Sequence, residues 1–351
     1  MGLISFQDIG ISGISATVPK NVISNRLFTN IFTEKEIENA ISTTGIKERR
    51  FVDVDTCSSD LCYESANTLI NELAVDRNSI DVLIFLSQTP DYHQPATAPD
   101  LQNRLGLSKK TASFDINMAC SGYIYGLSTA FAYCNIPGVN RVLLLIGETL
   151  SKVTSLEDRA TCLLFGDAGS ATLIEKDKKY SASYFSINSD GSGGSVLRIP
   201  AGGYRIPSSG ETVMLKTHAD GSIRSDEQLF MDGMEVFNFT MNVVPNDLKN
   251  LLTYAEMKQE EIDYLIFHQA NKYMTDYLAK KSAFPLEKVL YSLQDFGNTS
   301  SVSIPLTIVS QLKSLSLSNK RMMFSGFGGG LSWGSAILNL NNCHISMLKE
   351  I

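Results

Sequence analysis

The chain repeats parts of itself at an offset of about 182 positions. Three pairs of segments match in the same order: Ile80-Asp81-x-Leu83-Ile84-Phe85 with Ile262-Asp263-x-Leu265-Ile266-Phe267, Phe114 with Phe296, and Gly169-Ser170-Ala171 with Gly334-Ser335-Ala336 at a shorter spacing. Ordered matches of this kind predict a duplicated structural unit. The boundary is expected in the polar, Gly/Ser-rich stretch 181–195, which gives an N-terminal half of residues 1–185 and a C-terminal half of residues 186–351.

Short apolar runs alternate with helical patterns. Buried strands are predicted at 81–87, 141–147 and 263–267, and helices at 120–133 and 305–317. This alternation indicates an α/β fold with a largely parallel sheet. With 351 residues, each half is large enough to bury its own core.

Composition narrows the class of protein. A formal net charge of −7 argues against a role that depends on neutralising nucleic-acid phosphates. No apolar run reaches the length of about 18 residues that a membrane helix needs, and the N-terminus does not have the pattern of a signal peptide. Six cysteines without Cys-x-x-Cys pairs predict reduced thiols in a cytoplasmic protein rather than disulfides or a metal site.

One of these cysteines has the setting of a nucleophile. An apolar strand is expected to end near Ile116, and a helix of apolar and small residues begins at about Cys120. A thiol at a helix N-terminus meets unpaired N–H groups and the positive end of the helix dipole, and both favour the reactive thiolate. Cysteine is also a common small core residue, so this segment alone leaves both interpretations open.

Two candidate partners lie in the second half. His268 directly follows the predicted strand at 263–267, and Asn298 follows Gly297. Ligand chemistry in open α/β sheets concentrates at the carboxyl ends of strands, so a duplicated fold predicts that these side chains meet Cys120. Taken singly, His268 could be a hydrogen-bonded core residue and Asn298 a turn residue. The three residues together favour a catalytic site.

A glycine-rich segment, residues 324–334, follows another apolar run. It lacks the Lys-Ser/Thr of a phosphate-binding loop and departs from the Gly-x-Gly-x-x-Gly dinucleotide pattern. Backbone N–H donation to a developing oxyanion suits it better, because glycine permits unusual dihedral angles.

Several motifs together resemble one family over nearly the whole chain. They are Thr44-Gly-Ile-Lys-Glu-Arg-Arg50, the Cys120 segment, Phe165-Gly-Asp-Ala-Gly-Ser-Ala171, His268-Gln-Ala-Asn271, Gly297-Asn-Thr-Ser300 and Phe327-Gly-Gly-Gly-Leu-Ser-Trp-Gly334. The chain resembles β-ketoacyl-acyl-carrier-protein synthase III, the initiating condensing enzyme of fatty acid synthesis in the thiolase superfamily. The resemblance implies an internally duplicated, five-layered αβαβα fold that works as a homodimer.

The resemblance also assigns roles. Cys120 takes an acyl group from acyl-CoA or an acyl-carrier protein, while His268 and Asn298 bind the thioester carbonyl of malonyl-acyl-carrier protein as carbon dioxide leaves. The backbone N–H groups of Cys120 and Gly329 form the oxyanion hole, and Phe327 packs beside the nucleophile. No permanently bound cofactor or metal is implied.

Docking of the acidic carrier protein implies a basic surface patch. Lys280 and Lys281 match family positions in this patch, and Lys272 is a substitute for a family arginine whose position Tyr273 occupies. Asn238 stands where the family has a lysine.

Substrate positions depart further from the family. Asn39 and Thr43 stand where a Trp and an Arg sandwich the adenine of coenzyme A, and Gln94 stands where the dimer partner's Phe enters the acyl pocket. Arg159 does match a coenzyme A contact. We therefore expect a primer other than acetyl-CoA, either carrier-bound or polar.

The sequence is also compatible with other functions. One is an acyl transferase of polysaccharide or secondary-metabolite synthesis, or a simple thioesterase, with the same three residues. Another is a non-catalytic protein that holds an acyl carrier. An enzyme forming 3-hydroxy-3-methylglutaryl-CoA is less favoured, because its additional glutamate has no clear position here.

Overall fold

A computed structural model describes residues 2–313, 317 and 319–351. The strands are β1 (Gly2–Phe6), β2 (Ile9–Val18), β3 (Val22–Ser24), β4 (Glu48–Arg50), β5 (Val82–Leu86), β6 (Ala112–Ile116), β7 (Arg141–Glu148), β8 (Ala168–Lys176), β9 (Ser183–Ser189), β10 (Leu197–Arg198), β11 (Lys216–Thr217), β12 (Ile223–Arg224), β13 (Phe230–Met231), β14 (Tyr264–Phe267), β15 (Arg321–Gly328), β16 (Ser332–Asn339), β17 (His344–Ile345) and β18 (Lys349–Glu350). The α-helices are α1 (Glu34–Thr44), α2 (Ser58–Glu72), α3 (Ala98–Arg104), α4 (Gly122–Cys134), α5 (Gly233–Tyr254), α6 (Lys272–Lys281), α7 (Leu293–Phe296) and α8 (Ser303–Leu312).

Two large sheets have the same internal order. In the seven-stranded sheet, β7 runs parallel to β5 and antiparallel to β8; in the five-stranded sheet, β15 runs parallel to β14 and antiparallel to β16. The first repeated motif lies along β5 and β14, and the Gly-Ser-Ala repeat lies on β8 and β16. Phe114 lies on β6, whereas Phe296 ends the short helix α7, so the match of Phe114 with Phe296 does not join two equivalent strands.

Helices separate and cover the sheets. α4 and α8 lie between them and contact strands of both, while α2 and α3 cover the outer face of the first sheet and α5 covers that of the second, with α6 packed on α5. The largest buried cluster fills the middle, and two further clusters lie under the outer helices. This is the duplicated, five-layered αβαβα arrangement that the family resemblance implies.

Each end of the chain pairs with the sheet that the other half mainly forms. β1 pairs with β9 in the five-stranded sheet, whereas β17 and β18 pair with β2 in the seven-stranded sheet. The division at 185/186 falls within β9. The two sheets are not divided at this point of the chain, because edge strands are exchanged between the halves. The division at 185/186 therefore stays a prediction about the sequence repeat.

The predicted strands and helices are present, with shifted helix bounds. The strands at 81–87, 141–147 and 263–267 are present as β5, β7 and β14, and the helix expected from residue 120 begins at Gly122. The helix expected over 305–317 is α8, which ends at Leu312; residues 314–316 lie outside the described residues. All six cysteines are free thiols. Among the helices described, none has both the length and the apolar character needed to cross a membrane.

An aromatic cluster joins the middle layer to the second sheet. The ring of Phe131 on α4 lies 5.7 Å from that of Phe6 on β1 and 5.2 Å from that of Phe185 on β9. We predict that Phe131→Ala lowers the free energy of unfolding by about 3–5 kcal/mol, because it leaves a cavity in a fully buried site. Urea unfolding measures this loss. Tyr204→Ala, at an aromatic residue that is 87% exposed, should change it by less than about 0.5 kcal/mol, and equal losses in both variants would contradict the prediction.

Candidate active site

Cys120 lies in the turn between β6 and α4. The Gly122 N–H donates to the Ala119 carbonyl at 2.7 Å and closes this turn just before the helix begins. The hydroxyl of Ser121 lies 2.7 Å from that of Ser332, at the start of β16. Cys120 is thereby held against the second sheet, and its residue exposure is only 7%.

Gly328 on β15 has no side chain, and this lets the Cys120 turn approach the strand closely. A Cβ atom at Gly328 would lie 2.7 Å from the Cys120 Cβ, which is closer than real Cβ atoms approach other atoms, and 3.1 Å from the Cys120 Sγ. The glycine-rich segment predicted to serve the nucleophile therefore does contact it. Gly328 is the residue that borders the thiol, whereas a Cβ at Gly329 would face Ala119 at 3.4 Å.

His268 directly follows β14 and is 2% exposed. Its backbone N–H donates to the Ser325 carbonyl on β15 at 2.7 Å, which continues the parallel pairing by one residue. On the ring, Nδ1 lies 3.1 Å from the Ser300 carbonyl and 2.9 Å from the Ser303 hydroxyl. The Phe327 ring packs edge-on against the imidazole, with 5.5 Å between ring centroids.

Asn298 is held by backbone pairing with the first half of the chain. Its N–H donates to the Leu164 carbonyl at 2.9 Å, and its carbonyl accepts from the Gly166 N–H at 3.1 Å. The preceding Gly297 has φ +65°, and a Cβ there would lie 2.6 Å from the Leu164 oxygen, so only glycine fits. The Asn298 Oδ1 accepts from the Ser300 N–H at 2.9 Å.

The three predicted catalytic side chains line one cavity of about 80 Å³. Phe327 and Gly328 also border it, and the N-terminal turns of α5 and α6 contribute mainly apolar residues. A larger space of about 540 Å³ lies on the other side of the turn, against Ala119 and Gly329. Leu197 borders both. Within the described part of the chain, no group of three or more His, Cys, Asp and Glu side chains is arranged to hold a metal ion.

Burial keeps the reactive groups neutral. It raises the pKa of the Cys120 thiol to about 12, although the Ser300 hydroxyl lowers it, and it lowers the pKa of His268 to about 4. The free site therefore holds a thiol beside a neutral imidazole. The helix N-terminus favours a thiolate, but Cys120 precedes the helix and its sulfur is shielded from solvent, so burial has the larger effect on the pKa of its thiol.

Sequence reasoning missed a buried polar group beside the nucleophile. The Ser300 Oγ lies 3.4 Å from the Cys120 Sγ and accepts from the Gln88 Nε2 at 2.9 Å. Gln88 in turn donates to the fully buried carboxylate of Glu148, at the end of β7. A glutamate directly after an apolar strand was a usable signal, since unpaired carboxylates are rarely buried.

Comparisons with known proteins identify the family of the chain. The family model for 3-oxoacyl-[acyl-carrier-protein] synthase III matches residues 114–192, and the model for its C-terminal part matches residues 252–340. A β-ketoacyl-[acyl-carrier-protein] synthase III of Fusobacterium nucleatum is 35% identical over 95% of this chain and 98% of that protein. The crystal structure of a Burkholderia xenovorans 3-oxoacyl-(acyl-carrier protein) synthase is 37% identical, covers 100% of this chain and 99% of that one, and superposes with a TM-score of 0.92.

This chain belongs to the 3-oxoacyl-[acyl-carrier-protein] synthase III family. The predicted family and the predicted enzyme class, an acyltransferase of the condensing type, are thereby confirmed. The individual site residues are not tested by these comparisons and stay predictions.

In this synthase III chain, the positions expected to contact coenzyme A lie around α1. Asn39 and Thr43 are exposed on that helix. The Arg159 guanidinium donates to the Ile31 carbonyl at 2.5 Å and to the Glu36 carboxylate at 2.7 Å. This arginine is therefore already bound within the chain. Gln94 is exposed in the loop between β5 and α3.

The lysines expected to bind the carrier protein lie on α6, and all three are exposed. The Lys272 ammonium pairs with Asp276 at 2.6 Å, and that of Lys281 donates to the Met241 carbonyl at 2.7 Å. The ammonium groups of Lys272 and Lys281 thus have partners within the chain, and the docking patch stays a prediction.

The neutral thiol makes a prediction about pH. We expect the alkylation of Cys120 by iodoacetamide to rise about tenfold for each pH unit from 7 to 9, because the thiolate fraction rises tenfold per unit well below the pKa. Mass mapping of the Cys120 peptide separates this label from the other thiols, and Cys120→Ser provides the blank. A rate that is already constant below pH 7 would show a resting thiolate instead.

Proposed function

We propose that this chain forms a β-ketoacyl thioester by decarboxylative Claisen condensation. An acyl group on Cys120 is joined to the two-carbon unit that malonyl-acyl-carrier protein supplies. The observation that carries the proposal is the shared cavity of Cys120, His268 and Asn298, because this chemistry needs a nucleophile and two carbonyl-binding groups around one reacting centre.

Acyl transfer comes first. The Cys120 sulfur attacks the thioester carbonyl of the donor, a C–S bond forms, and the donor C–S bond breaks. His268 is the base available for the thiol proton, since its ring borders the same cavity and its Nδ1 is engaged elsewhere. The proton then leaves on the released carrier thiol, so the site is neutral again.

Condensation follows on the acyl enzyme. As the malonyl C–C bond to the carboxylate breaks, carbon dioxide leaves and its bonding electrons pass into an enolate. Asn298 donates a hydrogen bond to the enolate oxygen. His268 can also donate to it after the ring changes from the Nδ1–H form, in which Nε2 accepts the thiol proton, to the Nε2–H form, in which the Ser303 hydroxyl donates to Nδ1. The enolate carbon then attacks the acyl carbonyl, whose oxyanion is bound by the N–H groups of Cys120 and Gly329. The Cys120 sulfur departs as a thiolate and takes up one proton from water, which regenerates the thiol.

The acyl donor follows from the surroundings of α1. With Asn39 and Thr43 in place of stacking groups and Arg159 engaged by Glu36, little remains to bind the adenine of coenzyme A. We therefore assign a carrier-bound donor, with Lys280 as a docking lysine that has no hydrogen-bond or ion-pair partner among the described residues. Homodimerisation, at a surface that includes Gln94, and a cytoplasmic location complete the proposal.

The carbonyl-binding roles can be tested by separating the two half-reactions. We predict that His268→Ala and Asn298→Ala each reduce the release of carbon dioxide from malonyl-acyl-carrier protein by about 10²–10³-fold, because each removes a donor to the enolate. Mass spectrometry of the product identifies the β-ketoacyl thioester. The surface variant His344→Ala should behave like the wild type.

Two results would refute the proposal. One is acyl transfer to an alcohol, an amine or water without consumption of malonyl thioester, which would support the transferase or thioesterase alternative. The other is stoichiometric acylation of Cys120 with no later turnover, which would indicate a carrier-binding protein.

The choice of donor has its own test. We predict that acetyl-CoA alone acylates Cys120 at least about tenfold more slowly than an acyl-carrier protein, because stacking and cation–π contacts to adenine are missing. The mass shift of the intact protein measures both rates, with Cys120→Ser as the blank. Equal rates would restore acetyl-CoA as a primer.

A further inference from the structure

A single residue contacts all three predicted catalytic side chains. Ser300 lies in the segment between α7 and α8, is fully buried, and has φ +49°. Its N–H donates to the Asn298 Oδ1 at 2.9 Å, its carbonyl lies 3.1 Å from the His268 Nδ1, and its Oγ lies 3.4 Å from the Cys120 Sγ. Each of its three polar groups thus serves a different catalytic residue.

We propose that Ser300 is the positioning residue of the site, which sets the orientation of Asn298, the protonation of His268 and the hydrogen bond to the Cys120 sulfur. The roles of those three residues rest on the function proposed above. Ser300 itself acts only through them, and no contact between it and substrate is required.

The backbone of Ser300 orients two of the groups. An N–H can only donate, so the Asn298 oxygen must face Ser300, and the amide NH2 is left to serve as a donor toward substrate. A carbonyl can only accept, so its contact with His268 favours a proton on Nδ1. The same carbonyl raises the pKa of the ring against the larger effect of burial, which stabilises the imidazolium once Nε2 takes up a proton.

The side chain of Ser300 has a defined hydrogen-bond direction. Gln88 Nε2 has two hydrogens: one goes to the Glu148 Oε1 at 3.1 Å and the other to the Ser300 Oγ at 2.9 Å. Glu148 also accepts from the Gln88 N–H and from the Ser301 hydroxyl at 2.7 Å. The Ser300 oxygen is therefore an acceptor toward Gln88, and its own proton is directed to the Cys120 sulfur, where it stabilises the thiolate.

The left-handed backbone permits all three contacts at once. A β-branched residue strongly disfavours φ +49°, whereas glycine adopts it readily. Substitutions can therefore separate the two parts of the role. Ser300→Gly removes the hydroxyl and keeps the N–H and C=O in place, while Ser300→Val disfavours the conformation on which the backbone contacts depend.

The experiment compares these variants with Thr299→Val in the same segment. The Thr299 hydroxyl is buried, and the described residues provide it with no hydrogen-bond partner, so its loss should leave every measurement unchanged. For Ser300→Gly we expect alkylation of Cys120 by iodoacetamide at pH 8 to be about tenfold slower, equivalent to a thiol pKa one unit higher, with decarboxylation of malonyl-acyl-carrier protein within about threefold of the wild type. For Ser300→Val we expect both rates to fall, decarboxylation by at least about 100-fold.

Wild-type alkylation in Ser300→Gly would overturn the role of the hydroxyl, and wild-type decarboxylation in Ser300→Val would overturn that of the backbone. Should Ser300→Val not fold, nitrogen NMR of the wild-type protein at pH 7, assigned with His268→Gln, tests the backbone directly. A proton on the His268 Nδ1 is expected, and its absence overturns that part. Alkylation and NMR need no substrate, so they remain decisive even if the chain does not catalyse condensation.

Discussion

The close approach of β15 to the Cys120 turn is the contact on which the active site depends. It exists because Gly328 has no Cβ: one placed there would lie 2.7 Å from the Cys120 Cβ. Any larger residue would push the turn away from the second sheet. The distance from Sγ to the Ser300 hydroxyl would then grow, and the nucleophile would leave the cavity that it shares with His268 and Asn298. The layered packing around α4 and α8 matters to function chiefly because it holds these two surfaces together.

Burial at this contact determines the charge state of the free site. A thiolate and an imidazolium would each be costly without solvent, so the free enzyme holds both groups neutral. Burial also raises the pKa of Glu148, to about 7, and its charge opposes thiolate formation at Cys120, whereas the Ser300 hydroxyl favours it. Gln88 donates a hydrogen bond to both groups, so the balance between these two effects depends on its position. Charge separation is then needed only when a thioester occupies the cavity and the proton has a place to go.

The sequence predicts the parts of this site that have local signals. Cys120 and His268 follow recognisable apolar strands, and the motif around Asn298 is specific, so all three could be predicted before their distances were known. The conformation of Ser300 could not, because a serine with φ +49° depends on partners distant in the chain. The exchange of β1 and β17 between sheets is equally non-local. The pairing of Lys272 with Asp276, by contrast, is an i, i+4 contact that the sequence could have revealed.

Duplication explains why two such different segments meet. The turn before α4 and the segment before α8 occupy corresponding places in the two halves. β6 pairs in parallel with Leu83 on β5, and Val289 forms a parallel bridge with Leu265, the counterpart of Leu83 in the repeat. In the first half this connection follows strand β6, and in the second it includes the short helix α7. The second connection is held to the first half by the bridge between Phe165 and Asn298 and by hydrogen bonds of Gln88 and Glu148. Both connections enter the middle layer, where they face each other. One connection carries Cys120 and the other carries Asn298 and Ser300, so a duplicated fold holds an asymmetric site.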